Sequence, residues 1–238
     1  MNLSEIVIII SMGIGMGFSL MGVSTSVIYV PFVISLFGSK FGNSIIFIPF
    51  MLSNFYISYK FRKNFDKDTV LKLIPFSFLG IILASICANY ISEETFRIVI
   101  GVIIILSSII FFLKKYENSL TKLGWIFGIV GGASSYLANV SGPIFDVYLL
   151  SFKKEEKNYI GSRAVFYSAF NIMKFLFYLF VFKNIDFYTI SRGSLAIPFI
   201  LIGVFIAKII LKHISQNLFN KIVILLGVVS AIQMILSN

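Results

Sequence analysis

Six apolar runs cross the chain at about 43–60, 70–90, 96–113, 160–182, 191–212 and 218–236, separated by short polar gaps. Each is near the roughly 20 residues that a helix needs to span a bilayer. Two further apolar stretches, about 5–37 and 123–152, exceed one span. Each carries a small, polar interruption near its middle: Gly22-Val23-Ser24-Thr25-Ser26 in the first, Ala138-Asn139-Val140-Ser141-Gly142-Pro143 in the second. Glycine permits turns and proline removes a backbone donor, so both stretches are expected to break. Unwound backbone at membrane depth is tolerated where it is buried in protein or lines a wet cavity. A simple kink in one long tilted helix is the plainer alternative.

Composition agrees with this pattern. Of 238 residues, 58% are hydrophobic and 13% charged, against about 45–50% and 25% in soluble domains. The pattern predicts an all-α polytopic membrane protein with 1–238 as a single transmembrane domain. It excludes a soluble enzyme, a disordered chain and a disulfide scaffold. The single cysteine, Cys87, and the single histidine, His213, offer neither a bridge nor a metal cluster. No cofactor is implied. Residues 1–5 lack the positive segment of a secretory signal, so the first apolar run is expected to belong to the mature protein.

The chain also repeats itself. At an offset of 123, Pro75-Phe76 matches Pro198-Phe199, Gly80 matches Gly203, Ala84 matches Ala207 and Phe96 matches Phe219. The two interruptions correspond at an offset near 116, and Asn54 and Asn171 fall in equivalent helices. Two halves follow, about 1–114 and 119–238.

The formal charge is +10, and its distribution orients the halves. Basic residues in loops mark the cytoplasmic side. In the first half they concentrate at Lys60, Arg62, Lys63, Lys67, Lys72, Lys114, Lys115 and Lys122, against Lys40 and Arg97 on the other side. In the second they concentrate at Lys153, Lys154, Lys157, Arg163, Lys208, Lys212 and Lys221, against Lys183 and Arg192. Parallel halves erase the bias, whereas inverted halves put fifteen on one side and four on the other. The expected fold is therefore two inverted repeats, each a broken, re-entrant helical hairpin plus three spanning helices, with both termini outside. Inverted repeats with broken helices near the midplane are a recurring transporter design. The basic gaps suit an anionic leaflet and not a nucleic acid.

The residues at the breaks carry a resemblance. Gly15, Ser19 and Gly22, followed by Pro31, then Gly128, Gly131-Gly132, Ser141-Gly142-Pro143, Tyr148-Leu149-Leu150 and Gly161-Ser162-Arg163-Ala164 resemble the motifs of the sulfite exporter TauE/SafE family, also called the 4-toluene sulfonate uptake permease family. Ser24-Thr25-Ser26 replaces the family's glycine triplet. The resemblance implies a multi-pass exporter or importer of small anions such as sulfite or organosulfonates, in a bacterial-type inner membrane. A homodimer is among the arrangements it implies.

An oxyanion needs donors and positive potential, and a free helix N-terminus supplies both. The candidate substrate-binding residues are Ser24, Thr25, Ser26, Asn139, Ser141, Gly142, Arg163, Asn171 and Lys174. Glycines and small residues at these places could instead serve only close helix packing. Charges inside apolar runs are costly unless paired. Asp146 can pair with Lys174 or Arg163 and carry a coupled proton or cation, or these charges can form a purely structural pair. Arg163 reads either as a loop anchor or as a clamp whose planar fork fits an oxyanion. No nucleophile–base set and no Walker loop appears, so the chain is not read as an enzyme or an ATPase. The leading function is a secondary transporter of a small anion working by alternating access. The alternative is a non-transporting membrane scaffold or assembly subunit.

Overall fold

The Asn2 side chain accepts the Glu5 N–H at 2.8 Å and so caps the first helix. In the computed structural model this helix, α1, runs over Leu3–Leu20, and Met21 closes it by donating to Phe18 O. The structure describes residues 2–21, 25–88, 90–112, 121–152, 156–181, 183 and 185–236. Every regular element among them is helical. After α1 come α2 (Ser26–Phe37), α3 (Ser39–Lys60), α4 (Lys67–Ala88) and α5 (Glu93–Phe112). A short 3-10 turn at Thr121–Leu123 leads into α6 (Gly124–Ala138) and α7 (Gly142–Leu150). The chain ends with α8 (Glu156–Phe180), α9 (Phe187–Ser194), α10 (Ile197–His213) and α11 (Gln216–Leu236). Among the described residues, four segments are long and apolar enough to cross a membrane: α1, α3, α4, and α9 with α10 taken together.

Both long stretches break close to where the polar interruptions predict. The second break is narrower than expected, 139–141 between Ala138 and Gly142, and Ser26 is already the first residue of α2. Gly22, Val23 and Ser24 lie outside the described residues, as do Lys114, Lys115, Lys153 and Lys154 of the basic loops. In the second break Asn139 adopts the left-handed conformation (φ 54°) and ends α6 by donating its N–H to Ser135 O at 3.0 Å. Asparagine tolerates that conformation better than most residues. Each broken pair folds back on itself. Tyr29 of α2 packs at Gly15, and Thr25 reaches Gly15 O at 2.5 Å. Phe145 and Tyr148 of α7 pack at Gly131 and Gly124.

One expected span differs from its single run. Stretch 191–212 is divided between α9 and α10 by a turn at Leu195 and Ala196, where Ala196 N–H bonds Gly193 O at 3.0 Å. Pro198 cannot donate to Ser194 O, so the regular ladder lapses there. Asp186 and Thr189 form a capping box that starts α9 earlier than the apolar pattern alone indicates.

Helix packing crosses between the two parts of the chain. α1 lies along α10, and α4 along α6. In lipid, such contacts depend on close approach at small residues, since lipid tails are as apolar as leucine. A Cβ on Gly13 would lie 2.7 Å from Phe199 Cβ, and one on Gly128 would lie 2.5 Å from Phe76 Cβ. A Cβ on Gly203 would strike Ile14 O, and one on Gly80 would strike Ile129 O. Both pairs of helices run parallel: Gly13 and Gly17 meet Phe199 and Val204 in order, and Phe76 and Ser77 meet Gly128 and Gly132 in order. α3 and α8 run antiparallel instead. Phe47 stacks edge-on to Tyr178 at 5.2 Å, Phe50 to Tyr167 at 5.7 Å, and past the end of α3, Asn64 O abuts Gly161. Ser162 Oγ accepts the Asp66 N–H at 2.8 Å, so the turn after α3 and the start of α8 share one end of the molecule.

Candidate functional site

Helix α8 carries two buried cations, Arg163 and Lys174, three turns apart. Each finds the carbonyl end of a different broken helix. Near the start of α8, Arg163 Nε donates to Asp146 Oδ1 of α7 at 2.7 Å. Its Nη1 donates to Ser19 O, in the last turn of α1, at 3.2 Å. Its guanidinium lies 5.2 Å from the centre of the Tyr167 ring. Tyr159 stands near the same Asp146 carboxylate. The sequence left Asp146 two possible partners, and it is Arg163 that it meets. The three remaining guanidinium N–H groups have no acceptor among the described residues.

Polar side chains of both breaks surround this pair. Ser19 Oγ and Thr25 Oγ1 are 2.7 Å apart, and Ser141 Oγ is 3.4 Å from the Tyr167 hydroxyl. Neither Thr25 nor Ser141 caps the helix that follows it. The first N–H groups of α2 and α7 therefore lack a side-chain acceptor there. Ser26 is buried at the first position of α2 and Gly142 at the first of α7.

Lys174 forms a second cluster with different partners. It is fully buried, and its ammonium donates to Ser135 O, to Asn139 Oδ1 and, at 3.3 Å, to Ser135 Oγ. The rings of Phe47 and Tyr178 lie 5.1 and 5.3 Å away. Among the described residues no carboxylate reaches it. Asn139 Nδ2 turns to α3, donating to Asn43 O at 2.9 Å and Asn43 Oδ1 at 3.1 Å. Asn43 Nδ2 in turn donates to Leu137 O near the end of α6. Asn171 lies between the two clusters on α8, fully buried, and neither of its amide atoms has a hydrogen-bond partner among the described residues.

The candidates thus separate. Thr25, Ser141, Asp146 and Arg163 gather at one cluster, Asn139 and Lys174 at the other, and Asn171 between them. Ser24 lies outside the described residues. Asn43, Ser135, Tyr159 and Tyr167 carry no reading in the sequence analysis, and Ser19 appears there only as a motif residue. Asn43 had a usable signal, as an amide inside an apolar helix. Ser19 and Ser135 act partly through backbone oxygens, which side-chain identity does not advertise. Among the described residues no group of His, Cys, Asp or Glu could hold a metal ion.

A cavity of about 10 Å³, lined in part by Asn54, lies beside Arg163. Leu20, Asn54 and Ile57 wall it from one half of the chain, and Tyr159 and Ile160 from the other. That is about the room one water needs.

These features define a multi-pass membrane protein with a buried ion pair and a buried ammonium at two helix breaks. The sulfite exporter TauE/SafE family model matches residues 7–234, and the chain belongs to that family. Its members are membrane transporters and not enzymes. No curated protein and no solved structure matches the chain.

Proposed function

We propose that this protein is a secondary transporter of a small oxyanion, sulfite or an organosulfonate, working by alternating access between two inverted halves in a bacterial-type inner membrane. The observation that carries the reading is Arg163: a buried guanidinium, held by Asp146 and Ser19 O, with three N–H groups unused and a small cavity beside it. A planar fork with spare donors suits an oxyanion better than it suits any neutral ligand. Asn171 and the uncapped starts of α2 and α7 add neutral donors. Asp146 is the group placed to release Arg163 when protonated, which is how a coupled proton would act.

The inverted arrangement draws support from the packing. Gly13 with Phe199 and Gly128 with Phe76 are one contact made twice, with the halves exchanged. Equivalent helices α3 and α8 run antiparallel, as a two-fold axis lying in the membrane plane requires. The turn after α3 and the start of α8, both in lysine-rich segments, lie at one end. The scaffold reading has one observation in its favour: the cavity at Arg163 holds about one water. Unused guanidinium donors at its wall have no purpose in that reading.

The test is uptake of radiolabelled sulfite and of an organosulfonate into proteoliposomes holding the purified chain. Saturable transport that falls at least tenfold in Arg163→Lys, which keeps charge but loses the fork, supports the proposal. A folded wild-type chain that moves neither anion overturns it.

A further inference from the structure

A groove of about 500 Å³ opens where the ends of α1 and α3 approach α10 and the start of α8. Ser53, Tyr56 and Leu201 lie along it, and the exposed ammonium groups of Lys60 and Lys208 stand at its rim, one from each half. Leu20, Ile57 and Ile160 line both this groove and the small cavity at Arg163. The groove is therefore separated from the cavity at Arg163 by a wall one side chain thick, made by these three residues. It lies toward the end where Lys60 precedes Arg62 and Lys63, and where α10 runs on to Lys212.

We infer that this groove is the aqueous vestibule through which the substrate anion reaches or leaves Arg163, with Lys60 and Lys208 selecting for negative charge. The inference rests on the transport reading above and adds the route, the side and two specificity residues. The rim carries two cations and, among its lining residues, no carboxylate. A lipid headgroup would need only the rim; it would not need a cavity with Asn54 and a buried arginine directly behind the groove. The wall of Leu20, Ile57 and Ile160 then separates an open vestibule from a site closed in this conformation.

The experiment uses the full chain in proteoliposomes, with Cys87→Ser to remove the one native thiol. Ser53→Cys is labelled with two membrane-impermeant thiosulfonates of opposite charge, an ethylsulfonate and an ethyltrimethylammonium. Each rate is divided by that reagent's rate with a free thiol. Two rim cations are expected to favour the anionic reagent about three- to tenfold, and Lys60→Gln with Lys208→Gln to abolish the preference. The same double variant is expected to raise the KM for sulfite about three- to tenfold while keeping kcat. Labelling by a membrane-permeant maleimide alone would put the groove in lipid and overturn the inference. So would a rate ratio equal to that of the free thiol. A wild-type chain that shows the labelling preference but transports no anion would sink the transport reading and leave the anion-selective groove standing.

Discussion

Replacing Asp146 with Asn removes one charge from the buried pair and almost no volume. The two side chains are 9% and 5% exposed, so neither charge is screened by water, and Nε sits 2.7 Å from Oδ1. Removing one partner of a buried pair costs about 3–5 kcal/mol, because the other charge stays buried without compensation. Asn keeps an oxygen that Nε can reach, and Arg163 keeps Ser19 O, so the lower end applies, about 3 kcal/mol, or over a hundredfold in the folding equilibrium. The assay is equilibrium unfolding in detergent micelles, followed by circular dichroism, in a buffer whose anions are too large for the cavity. The cycle is completed with Arg163→Gln and the double variant. Two neutral amides no longer bury a lone charge, so the double variant should be at least 2 kcal/mol more stable than the sum of the singles predicts. Adding an organosulfonate should recover stability in Asp146→Asn, where the guanidinium has lost its anion. A cost below about 1 kcal/mol, with no coupling, would refute the argument and mean that water or bulk anions already compensate Arg163.

Other outcomes follow from the same coordinates. Gly80→Ala and Gly203→Ala each drive a Cβ into a facing carbonyl oxygen, Ile129 O and Ile14 O. Both should destabilise by about 1–3 kcal/mol, and similar costs in the two would match the duplicated packing, whereas a neutral member would break the equivalence. Asn43→Ala strips Leu137 O of its donor and Asn139 of an acceptor, at a cost of about 1–3 kcal/mol in the same unfolding assay; no change would mean that water satisfies these groups. Lys174→Met removes three hydrogen bonds but also a buried charge. The opposing terms should leave stability within about 2 kcal/mol of wild type while sulfite transport falls at least tenfold. Retained transport would reduce Lys174 to a helix cap. Lys63→Cys and Asn158→Cys, introduced singly in a Cys87→Ser background, should react with an impermeant thiol reagent from one and the same side; reaction from opposite sides would defeat the inverted topology.

The breaks were legible because their cause is local. Gly142, Pro143 and the run of Ser and Asn residues disturb a helix whatever surrounds them. The turn at Leu195 and Ala196 had no such signal, since both residues suit helices and the lapse comes from Pro198 two positions on. Arg163 and Asp146 could be named as buried charges from their places in apolar runs, yet choosing between Arg163 and Lys174 as partner needed the direction in which α7 returns. That direction is tertiary. Asn43 is visible in the sequence as an amide in an apolar helix, but only the approach of α6 makes it the partner of Asn139. Carbonyls at helix ends are invisible to any reading of side chains, though the C-terminus of a broken helix must be satisfied by something.

The satisfaction of those ends is what joins the two breaks. A helix C-terminus carries about half a negative charge, and each of the two inside this fold is met by a cation from α8: Ser19 O of α1 by Arg163, Ser135 O of α6 by Lys174. Eleven residues of helix separate the two, about 16 Å along the axis. At the equivalent places in α3, at the offset that relates Asn54 to Asn171, the chain has Ile46 and Ile57. If the halves are repeats, as proposed, the scaffold is duplicated but its charge is not. On the transport reading, exchange of the halves therefore cannot be a symmetric trade of binding groups. On that reading the anion stays with α8 in both conformations, and opening the site to either side would fall to apolar surfaces such as Leu20 and Ile57 moving past Ile160. A moving wall without charges of its own need not desolvate any, so the barrier to exchange is set by packing at the glycine contacts between α1 and α10 and between α4 and α6.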